Sequence, residues 1–185
     1  MSHTSSPAVE IRPALLSDAA AIAVIYNEAI LNTVATFDTE LKDEAERVRW
    51  LEAHGETHPV LVAVADGQVV GWASLTRWSD RKAYDWSAET SFYVLSSHQG
   101  RGIGRALMAE LMAVSRRLGF HTLIARIAEG SDESVHLHER FGFSHTGRLR
   151  QVGRKFDRWL DVLIMQIVLP GTADADAAAS KQETP

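Results

Sequence analysis

The residues with the clearest chemical meaning run from Gln99 to Arg105 and read Q-G-R-G-I-G-R. An apolar, strand-like run (residues 90–95) precedes them, and a long helical pattern follows without a break. Glycines let the backbone approach a ligand closely. The first turn of a helix offers unpaired N–H groups and the positive end of its dipole. Because Arg101 and Arg105 add charge-assisted donors, the stretch predicts a binding site for a pyrophosphate-bearing small molecule.

Two common phosphate-binding motifs do not fit this stretch. A P-loop requires a lysine followed by Ser or Thr after its glycines, and none follows here. A dinucleotide-binding fingerprint has wider glycine spacing than Gly100, Gly102 and Gly104, and it opens a βαβ unit rather than lying in mid-chain. For an isolated match, a glycine turn that merely precedes a helix is the alternative interpretation.

The composition narrows the classes of protein to consider. A chain of 185 residues, 45% hydrophobic and 23% charged, fits one globular domain. The net charge of −5, without a basic run, gives no indication of nucleic-acid binding. The absence of cysteine excludes disulfides, cysteine-ligated zinc and an acyl-enzyme thioester. No apolar stretch matches a membrane span or a signal peptide, so we expect a cytoplasmic enzyme.

The elements that must position these residues alternate along the chain. We expect disordered tails at residues 1–8 and 171–185, whose composition cannot support a core, around one domain at 9–170. Ser17-Asp18 is predicted to cap the first helix, and Asp66-Gly67 to close a hairpin. Strands are predicted at 9–12, 59–65, 69–76, 88–95, 122–127, 143–150 and 159–169, and helices at about 17–31, 41–54, 101–118 and 132–141.

The order β-α-α-β-β-β-α-β-α-β-β predicts a mixed sheet covered by helices. Gln99-x-x-Gly102-x-Gly104 resembles the Q/R-x-x-G-x-G/A motif of the GCN5-related N-acetyltransferases (GNAT), whose element order is similar over about residues 9–169. The resemblance implies the GNAT acyl-CoA N-acyltransferase fold, a mixed α/β (α+β) architecture, with acetyl-CoA as co-substrate and no metal. The implied cofactor-binding residues are Phe92, Tyr93, Val94, Gln99, Gly100, Arg101, Gly102, Ile103, Gly104, Arg105, Ser131 and Ser134.

Four further motifs resemble the phosphinothricin and methionine sulfoximine N-acetyltransferase branch of that family. Two positions depart from it: Ser131 or Asp132 stands where an asparagine is expected, and Arg154 replaces a tyrosine. The motifs are Tyr26-Asn27-Glu28 with Thr36-Phe37, the run A-Y-D-W-S-A-E-T-S-F-Y-V at 83–94, Ser134-x-x-Leu137-His138-Glu139-x-x-Gly142-Phe143, and Gly153-x-Lys155-Phe156-x-x-Trp159-Leu160-Asp161-Val162.

The resemblance implies two catalytic residues, Glu89 and His138. Amine acetylation needs a neutral amine, and Glu89 is the candidate base because a carboxylate in an apolar strand is costly unless it is used or paired. A solvated strand face is the alternative for Glu89. His138 is the candidate acid or hydrogen-bond donor for the leaving sulfur, and a structural contact is its alternative. His136 and His138 point about 200° apart on a helix, which argues against a shared metal.

For the amine substrate, arginine suits a carboxylate, and Arg77 and Arg81 lie at the end of the third strand. By resemblance Phe37, Arg81 and Lys155 are the better choices. The predicted substrate-binding residues are Phe37, Arg77, Arg81, Tyr84, Glu89 and Lys155.

These features predict transfer of acetyl from acetyl-CoA to the amine of a small amino acid or analogue, by direct attack in a ternary complex. The alternatives are acetylation of a protein N-terminus, which an open groove would favour, or of a polyamine, which an acidic pocket would favour. A non-catalytic acyl-CoA sensor is a third, although both Glu89 and His138 are present. By resemblance we expect a homodimer, with residues near 30–40 and 150–160 approaching the partner, and no nucleic-acid or membrane partner.

Overall fold

The computed structural model describes residues 9–170, so the predicted disorder at 1–8 and 171–185 lies outside the described residues. The order of helices and strands is the predicted one. The elements are β1 (Glu10–Pro13), α1 (Ala19–Asn32), α2 (Glu44–His54), β2 (Val60–Ala65), β3 (Gln68–Arg77), β4 (Ser87–Val94), α3 (Ile103–Arg117), β5 (Thr122–Ala128), α4 (Asp132–Arg140), β6 (Ser144–Lys155) and β7 (Arg158–Val168).

The strands form a mixed sheet in the order β1-β2-β3-β4-β5-β7-β6, which confirms the predicted fold class. Neighbouring strands run antiparallel except at the centre, where β4 and β5 are parallel. The parallel pairing covers Ser87–Glu89 against Thr122–Ile124 and then stops, although both strands continue. Beyond that point the facing backbone edges of β4 and β5 have no strand partner, and the sheet opens into a cleft.

Helices cover both faces of the sheet. The larger core packs α3 against the strands, and Leu107, Met108 and Leu111 of α3 are fully buried. The smaller core joins α1 and α2 to β2 and β3 around Ile22 and Trp72. Each fully buried side chain of this kind stabilises the fold by about 1.5–3 kcal/mol, so the sheet is a rigid support for the cleft. Within residues 9–170 no helix is long and apolar enough to cross a membrane.

The structure confirms most of the turns and helix ends that local sequence patterns predict. Asp66 and Gly67 have φ of 50° and 76° in the turn between β2 and β3, as the predicted hairpin requires. Gly55, with φ 58°, ends α2 as expected. The second helix begins at Glu44, later than predicted, because the side chain of Asp43 accepts a hydrogen bond from Glu46 N at 2.7 Å.

The predicted helix cap at Ser17-Asp18 is confirmed in position, since Asp18 is the N-cap residue of α1, but its side chain does not cap the helix. Asp18 makes no cap hydrogen bond to α1 and closes a short 3₁₀ turn before it. Its carboxylate instead accepts from Leu15 N at 2.8 Å and from both guanidinium Nη atoms of Arg12 at 2.7 and 2.9 Å. The hydrogen bond from Arg12 lowers the pKa of Asp18, and it ties β1 to the start of α1.

Candidate active site

The glycine-rich turn leaves the end of β4 and enters α3 in the conformation that the sequence predicts. Gly100 and Gly102 have φ of 72° and 82°, which side chains other than glycine rarely adopt. Ile103 is 2% exposed and anchors the start of α3 in the core. The first intrahelical hydrogen bond runs from Ala106 N to Gly102 O at 3.0 Å. The N–H groups of residues 103–105 therefore lack intrahelical acceptors and suit an anion.

Three side chains of the turn hold its backbone in place or add positive charge. Gln99 Nε2 donates to Val94 O at 3.2 Å, so the side chain closes the turn onto the end of β4. Arg101 and Arg105 are exposed beside the free N–H groups. A Cβ atom at Gly104 would meet only Leu137 Cδ2 at 3.6 Å, an ordinary contact. The fold therefore has room for a side chain at position 104, and the glycine leaves the backbone open to a ligand.

The opening between β4 and β5 contains a small cavity of about 100 Å³. Residues of both strands line it, together with Ser131 before α4 and Ser134 and His138 of α4. It gathers five predicted site residues: Phe92 and Tyr93 of β4, Ser131 before α4, and Ser134 and His138 of α4. The rest of the wall consists of Ala35, Thr90, Ser91 and the β5 residues Ala125, Arg126, Ile127 and Ala128.

His138 is 3% exposed on the cleft side of α4. Its Nδ1 lies 2.7 Å from Ser134 O, and because a carbonyl can only accept, Nδ1 carries the proton. Burial lowers the pKa of His138. The neutral imidazole therefore presents Nε2 as a hydrogen-bond acceptor, and within residues 9–170 this buried atom has no partner. The rings of Phe92 and Phe143 pack edge-on against it, at 5.7 and 4.9 Å between ring centroids.

A larger cavity of about 490 Å³ adjoins the cleft. Glu89 lies on its wall, on the same strand face as Ser91 and Tyr93. Arg126 Nε donates to Glu89 Oε1 at 2.7 Å, so the carboxylate is paired. The lining residues are Tyr26, Val34, Ala35, Thr36, Phe37, Asp38, Glu89, Ser91, Tyr93, Arg126, Ala128, Leu149, Val152 and Val162.

One wall of this cavity is the 34–38 segment, which follows α1. Tyr26 OH donates to Asp38 Oδ2 at 3.0 Å and accepts from Thr36 Oγ1 at 2.8 Å, since the carboxylate can only accept. Tyr93 OH donates to Ala35 O at 3.3 Å. Burial, the largest cause, raises the pKa of Tyr26 to about 12 and keeps this hydroxyl a donor.

The Gly153-x-Lys155 motif holds the same segment against β6. Lys155 is 5% exposed and its Nζ donates to Thr36 O at 2.8 Å. Burial lowers the pKa of Lys155. The ring of Phe37 occupies the space that a side chain at Gly153 would need. Lys155, predicted to bind substrate, thus supports the 34–38 segment through its hydrogen bond to Thr36 and does not itself line the cavity.

The structure brings Phe37 and Glu89 to the large cavity but leaves the other predicted substrate residues elsewhere. Arg77 is exposed and forms an ion pair with Asp85 at 3.0 Å, while Arg81 and Tyr84 lie on the exposed loop before β4. Arg126 was missed by the sequence analysis. It could have been found by the signal that singled out Glu89, since it interrupts the otherwise apolar strand β5.

Within the described part of the chain, no three His, Cys, Asp or Glu residues cluster as a metal site would require. The cleft and the carboxylate-bearing cavity share wall residues at the centre of the sheet, and the glycine-rich turn follows the end of β4, which lines the cleft. An anion-binding turn near two adjoining cavities is typical of a group-transfer enzyme, the class of protein that these features indicate.

Comparison with known proteins identifies the family. The acetyltransferase (GNAT) domain matches residues 11–164. The L-methionine sulfoximine/L-methionine sulfone acetyltransferase of Salmonella typhimurium is 40% identical over 90% of this chain and 98% of its own. The chain belongs to the GNAT acetyltransferase family, and it is an N-acetyltransferase.

Solved structures have the same fold. A GNAT phosphinothricin acetyltransferase from Sinorhizobium meliloti, in complex with acetyl-CoA, superimposes with a TM-score of 0.84 at 37% identity, covering 89% of this chain and 91% of that one. A ribosomal-protein-alanine N-acetyltransferase from Brucella melitensis superimposes with a TM-score of 0.84 at 45% identity, over 86% and 99% of the two chains.

Proposed function

We propose that this enzyme transfers acetyl from acetyl-CoA to the amine of a small amino acid or analogue, of the phosphinothricin or methionine sulfoximine type, by direct attack in a ternary complex. The observation that carries the proposal is the junction of the two cavities. They share Ala35, Ser91, Tyr93, Arg126 and Ala128 on their walls. A donor in the cleft and an amine in the larger cavity would meet at this junction.

The donor side suits the parts of acetyl-CoA. The α3 N-terminus, with Arg101 and Arg105, would hold the pyrophosphate. The unpaired edges of β4 and β5 offer backbone hydrogen bonds to the amides of an extended pantetheine arm. Ser131, in place of the expected asparagine, lines the cleft together with Ser134. When bound, acetyl-CoA supplies a thioester whose carbonyl carbon accepts the amine.

The acceptor side supplies a base. An α-amine has a pKa of about 8 and is largely protonated at neutral pH, so it must lose a proton before attack. Glu89 Oε1 is bound to Arg126, while Oε2 has no hydrogen-bond partner within residues 9–170. Glu89 would therefore accept the amine proton through Oε2, directly or through water.

His138 would contact the sulfur end of the donor. The acid role inferred from the family needs an imidazolium, which burial disfavours here. The neutral ring with Nε2 as acceptor could instead receive the second proton, which the amine nitrogen loses after its attack, and pass it to the departing sulfur of CoA to give the free thiol. His138 remains in the proposal as a residue of the leaving-group side.

The charges of the larger cavity argue for a small zwitterionic amine over a polyamine. Its two carboxylates are both paired, Glu89 with Arg126 and Asp38 with Lys42 at 3.2 Å. A polycation would find little uncompensated negative charge. The methionine sulfoximine and phosphinothricin acetyltransferases among the relatives act, by their names, on amino acids of this size.

The similarity to a ribosomal-protein-alanine N-acetyltransferase favours one alternative, acetylation of a protein N-terminus. An assay that measures the release of free CoA from acetyl-CoA with a panel of amines distinguishes a small amino acid substrate from a protein N-terminus. We expect methionine sulfoximine and phosphinothricin to have higher kcat/KM than N-terminal alanine peptides or spermidine. If peptides or polyamines are turned over at least about tenfold more efficiently, the proposal is wrong.

A homodimer and a cytoplasmic location belong to the same proposal. Exposed apolar side chains beside the larger cavity support an association of two copies. Leu149 and Val152 of β6 are 46% and 53% exposed, and Trp159 of β7 is 60% exposed. Sedimentation of the full chain at micromolar concentration tests the assembly, and a monomer would contradict it.

A further inference from the structure

Arg126 is a charged residue in the middle of β5, whose other residues are apolar apart from Thr122 at its start. Arg126 pairs with Ile164 of β7 on one edge of β5. The other edge of β5 faces the cleft at this position, because the pairing with β4 ends at Ile124. The side chain is 55% exposed, whereas that of its ion-pair partner Glu89 is 15% exposed. An exposed ion pair stabilises a fold by only about 0–1 kcal/mol, so stability gives little reason for an arginine here.

Arg126 lies where the two cavities join. It lines both cavities, at the junction where acyl transfer would occur. Among the described residues that line either cavity, Arg126 alone carries a permanent positive charge. Its Nε is bound to Glu89 Oε1, and neither Nη donates a hydrogen bond to any part of residues 9–170. Those Nη groups form a free planar fork of the kind that binds a carboxylate.

Glu89 and Arg126 together match an α-amino acid. The amine and carboxylate of such a substrate are attached to one carbon atom, so the two charges are adjacent and opposite. The protein presents the reverse pair, the free Oε2 of Glu89 next to the free Nη groups of Arg126. The other carboxylate on the wall, Asp38, is paired with Lys42 and accepts a hydrogen bond from Tyr26, so the described wall leaves Arg126 as the group that would bind a substrate carboxylate.

We propose that Arg126 is a specificity-determining residue that binds the α-carboxylate of the substrate through its Nη groups. At the same time its Nε keeps Glu89 in place to receive the amine proton. This inference rests on the proposed function and adds the recognition of the α-carboxylate. It assigns to Arg126 the role that the sequence analysis gave to Arg77 and Arg81.

The test compares two amines that differ in one group, methionine sulfoximine and its decarboxylated analogue, with acetyl-CoA as donor. Arg126→Gln keeps hydrogen-bonding capacity but removes the charge. Arg117→Gln is the control, since Arg117 is 64% exposed on α3 and pairs with Glu110 at 3.1 Å, away from both cavities. Circular dichroism and CoA calorimetry establish that each variant folds and still binds CoA.

We expect Arg126→Gln to reduce kcat/KM for methionine sulfoximine at least about tenfold, mainly through KM, and for the decarboxylated amine less than about threefold. A tenfold change equals about 1.4 kcal/mol. Arg126→Lys should recover part of the loss, and Arg117→Gln should change neither amine. Equal losses for both amines would overturn the inference and leave Arg126 as a support for Glu89, and no loss for either amine would overturn both roles.

The wild-type enzyme separates this inference from the proposal beneath it. If the wild type prefers methionine sulfoximine and Arg126→Gln abolishes that preference, both stand. If the wild type has the preference and the variant keeps it, only the role of Arg126 fails. If the wild type prefers the decarboxylated amine or uses neither, the proposed function fails and the inference with it.

Discussion

At the scale of single residues, the chemistry depends on how each polar group is partnered. Glu89 was singled out because a lone carboxylate in an apolar strand is costly. The structure pairs it with Arg126, which removes much of that cost and leaves one oxygen available. His138 was singled out for its position, and its hydrogen bond to Ser134 O determines which nitrogen faces the cleft. Both residues therefore have a defined hydrogen-bonding role.

Glu89→Gln should lower kcat by about 10²-fold with little change in CoA affinity, because the variant cannot accept the amine proton. The loss should shrink above pH 8, where the free amine deprotonates in solution. Steady-state kinetics from pH 6 to 9.5 measures both effects, and Arg117→Gln serves again as the control. A deficit that stays constant across this range would reduce Glu89 to a residue that positions the substrate.

His138 should titrate below pH 6.5 in the folded protein, because burial lowers its pKa. Above pH 6.5 the imidazole of His138 is largely neutral in both the folded and the unfolded protein. As the pH is lowered, this imidazole gains its proton in the unfolded chain first. As the pH is lowered below about 6.5, the free energy of unfolding should therefore decrease, by at most about 1.4 kcal/mol per pH unit. The decrease should end below the pKa that His138 has in the folded protein.

Nitrogen-detected NMR of the imidazoles should show the proton on Nδ1 of His138 at pH 7. Urea unfolding of His138→Asn should show a shallower decline of stability below pH 6.5 than the wild type. The comparison with the wild type matters because burial also lowers the pKa values of His54 and His58. An NMR pKa of 6.5 or higher would contradict the neutral assignment and restore the acid role.

At the scale of elements, two glycines lie where a ligand or a neighbouring segment approaches the backbone. Gly104 lies in the first turn of α3, with room for a side chain on the protein side. Gly153 lies in β6, directly behind the ring of Phe37. In the proposed function the first glycine belongs to the donor side of the site and the second supports the wall of the acceptor cavity, so their substitutions should have separate effects.

Gly104→Val should weaken CoA binding at least about tenfold, or about 1.4 kcal/mol, while the fold is retained. The nearest protein atom to a Cβ there is 3.6 Å away, so the added side chain would obstruct the ligand more than the protein. Isothermal calorimetry with CoA measures the effect. Gly147→Ala in β6, where a Cβ meets nothing within 4 Å, is the matched control. Unchanged CoA affinity in folded Gly104→Val would refute the assignment of the turn.

Gly153→Ala should displace the 34–38 segment, because the new methyl group would overlap the ring of Phe37. We expect a loss of stability of about 1–3 kcal/mol and a higher KM for the amine, with CoA affinity retained. Thermal denaturation and kinetics measure the two effects, with Gly147→Ala again as control. The double variant Gly153→Ala with Phe37→Ala should regain stability, and failure to do so would disprove the steric explanation.

At the scale of the whole molecule, the sheet holds two adjoining sites and the chain has no cysteine. Two adjoining cavities support the proposed binding of donor and acceptor together, and no cysteine thiol is available to carry the acetyl group between them. The open centre of the sheet, made by strands that diverge after three paired residues, is where the two sites meet.

Initial-rate kinetics should therefore give intersecting lines in double-reciprocal plots, as a sequential mechanism requires. Mass spectrometry after incubation with acetyl-CoA alone should find no acetylated enzyme intermediate. Parallel lines, or an acetyl-enzyme that the amine discharges, would contradict direct transfer.

Several features of this protein were determined by the sequence alone, and they are local ones. The glycine spacing at 100–104, the Asp66-Gly67 hairpin and the period of α3 follow from backbone preferences and from patterns within a few residues. The order of elements follows from the same signals, and with the short motifs it led to the family. Glu89 and Phe37 were placed in the site because each belongs to such a motif.

The tertiary structure decided what depends on contacts between distant residues. The pairing of Glu89 with Arg126 joins positions 37 residues apart, and Lys155 reaches Thr36 across 119. Neither contact leaves a periodic signal in the chain. Arg77 is close to Glu89 in strand register, but its side chain pairs with Asp85 outside the cavity. Side-chain direction depends on the packing of the whole sheet, so only the folded molecule shows that Arg126, and not Arg77, lines the two cavities.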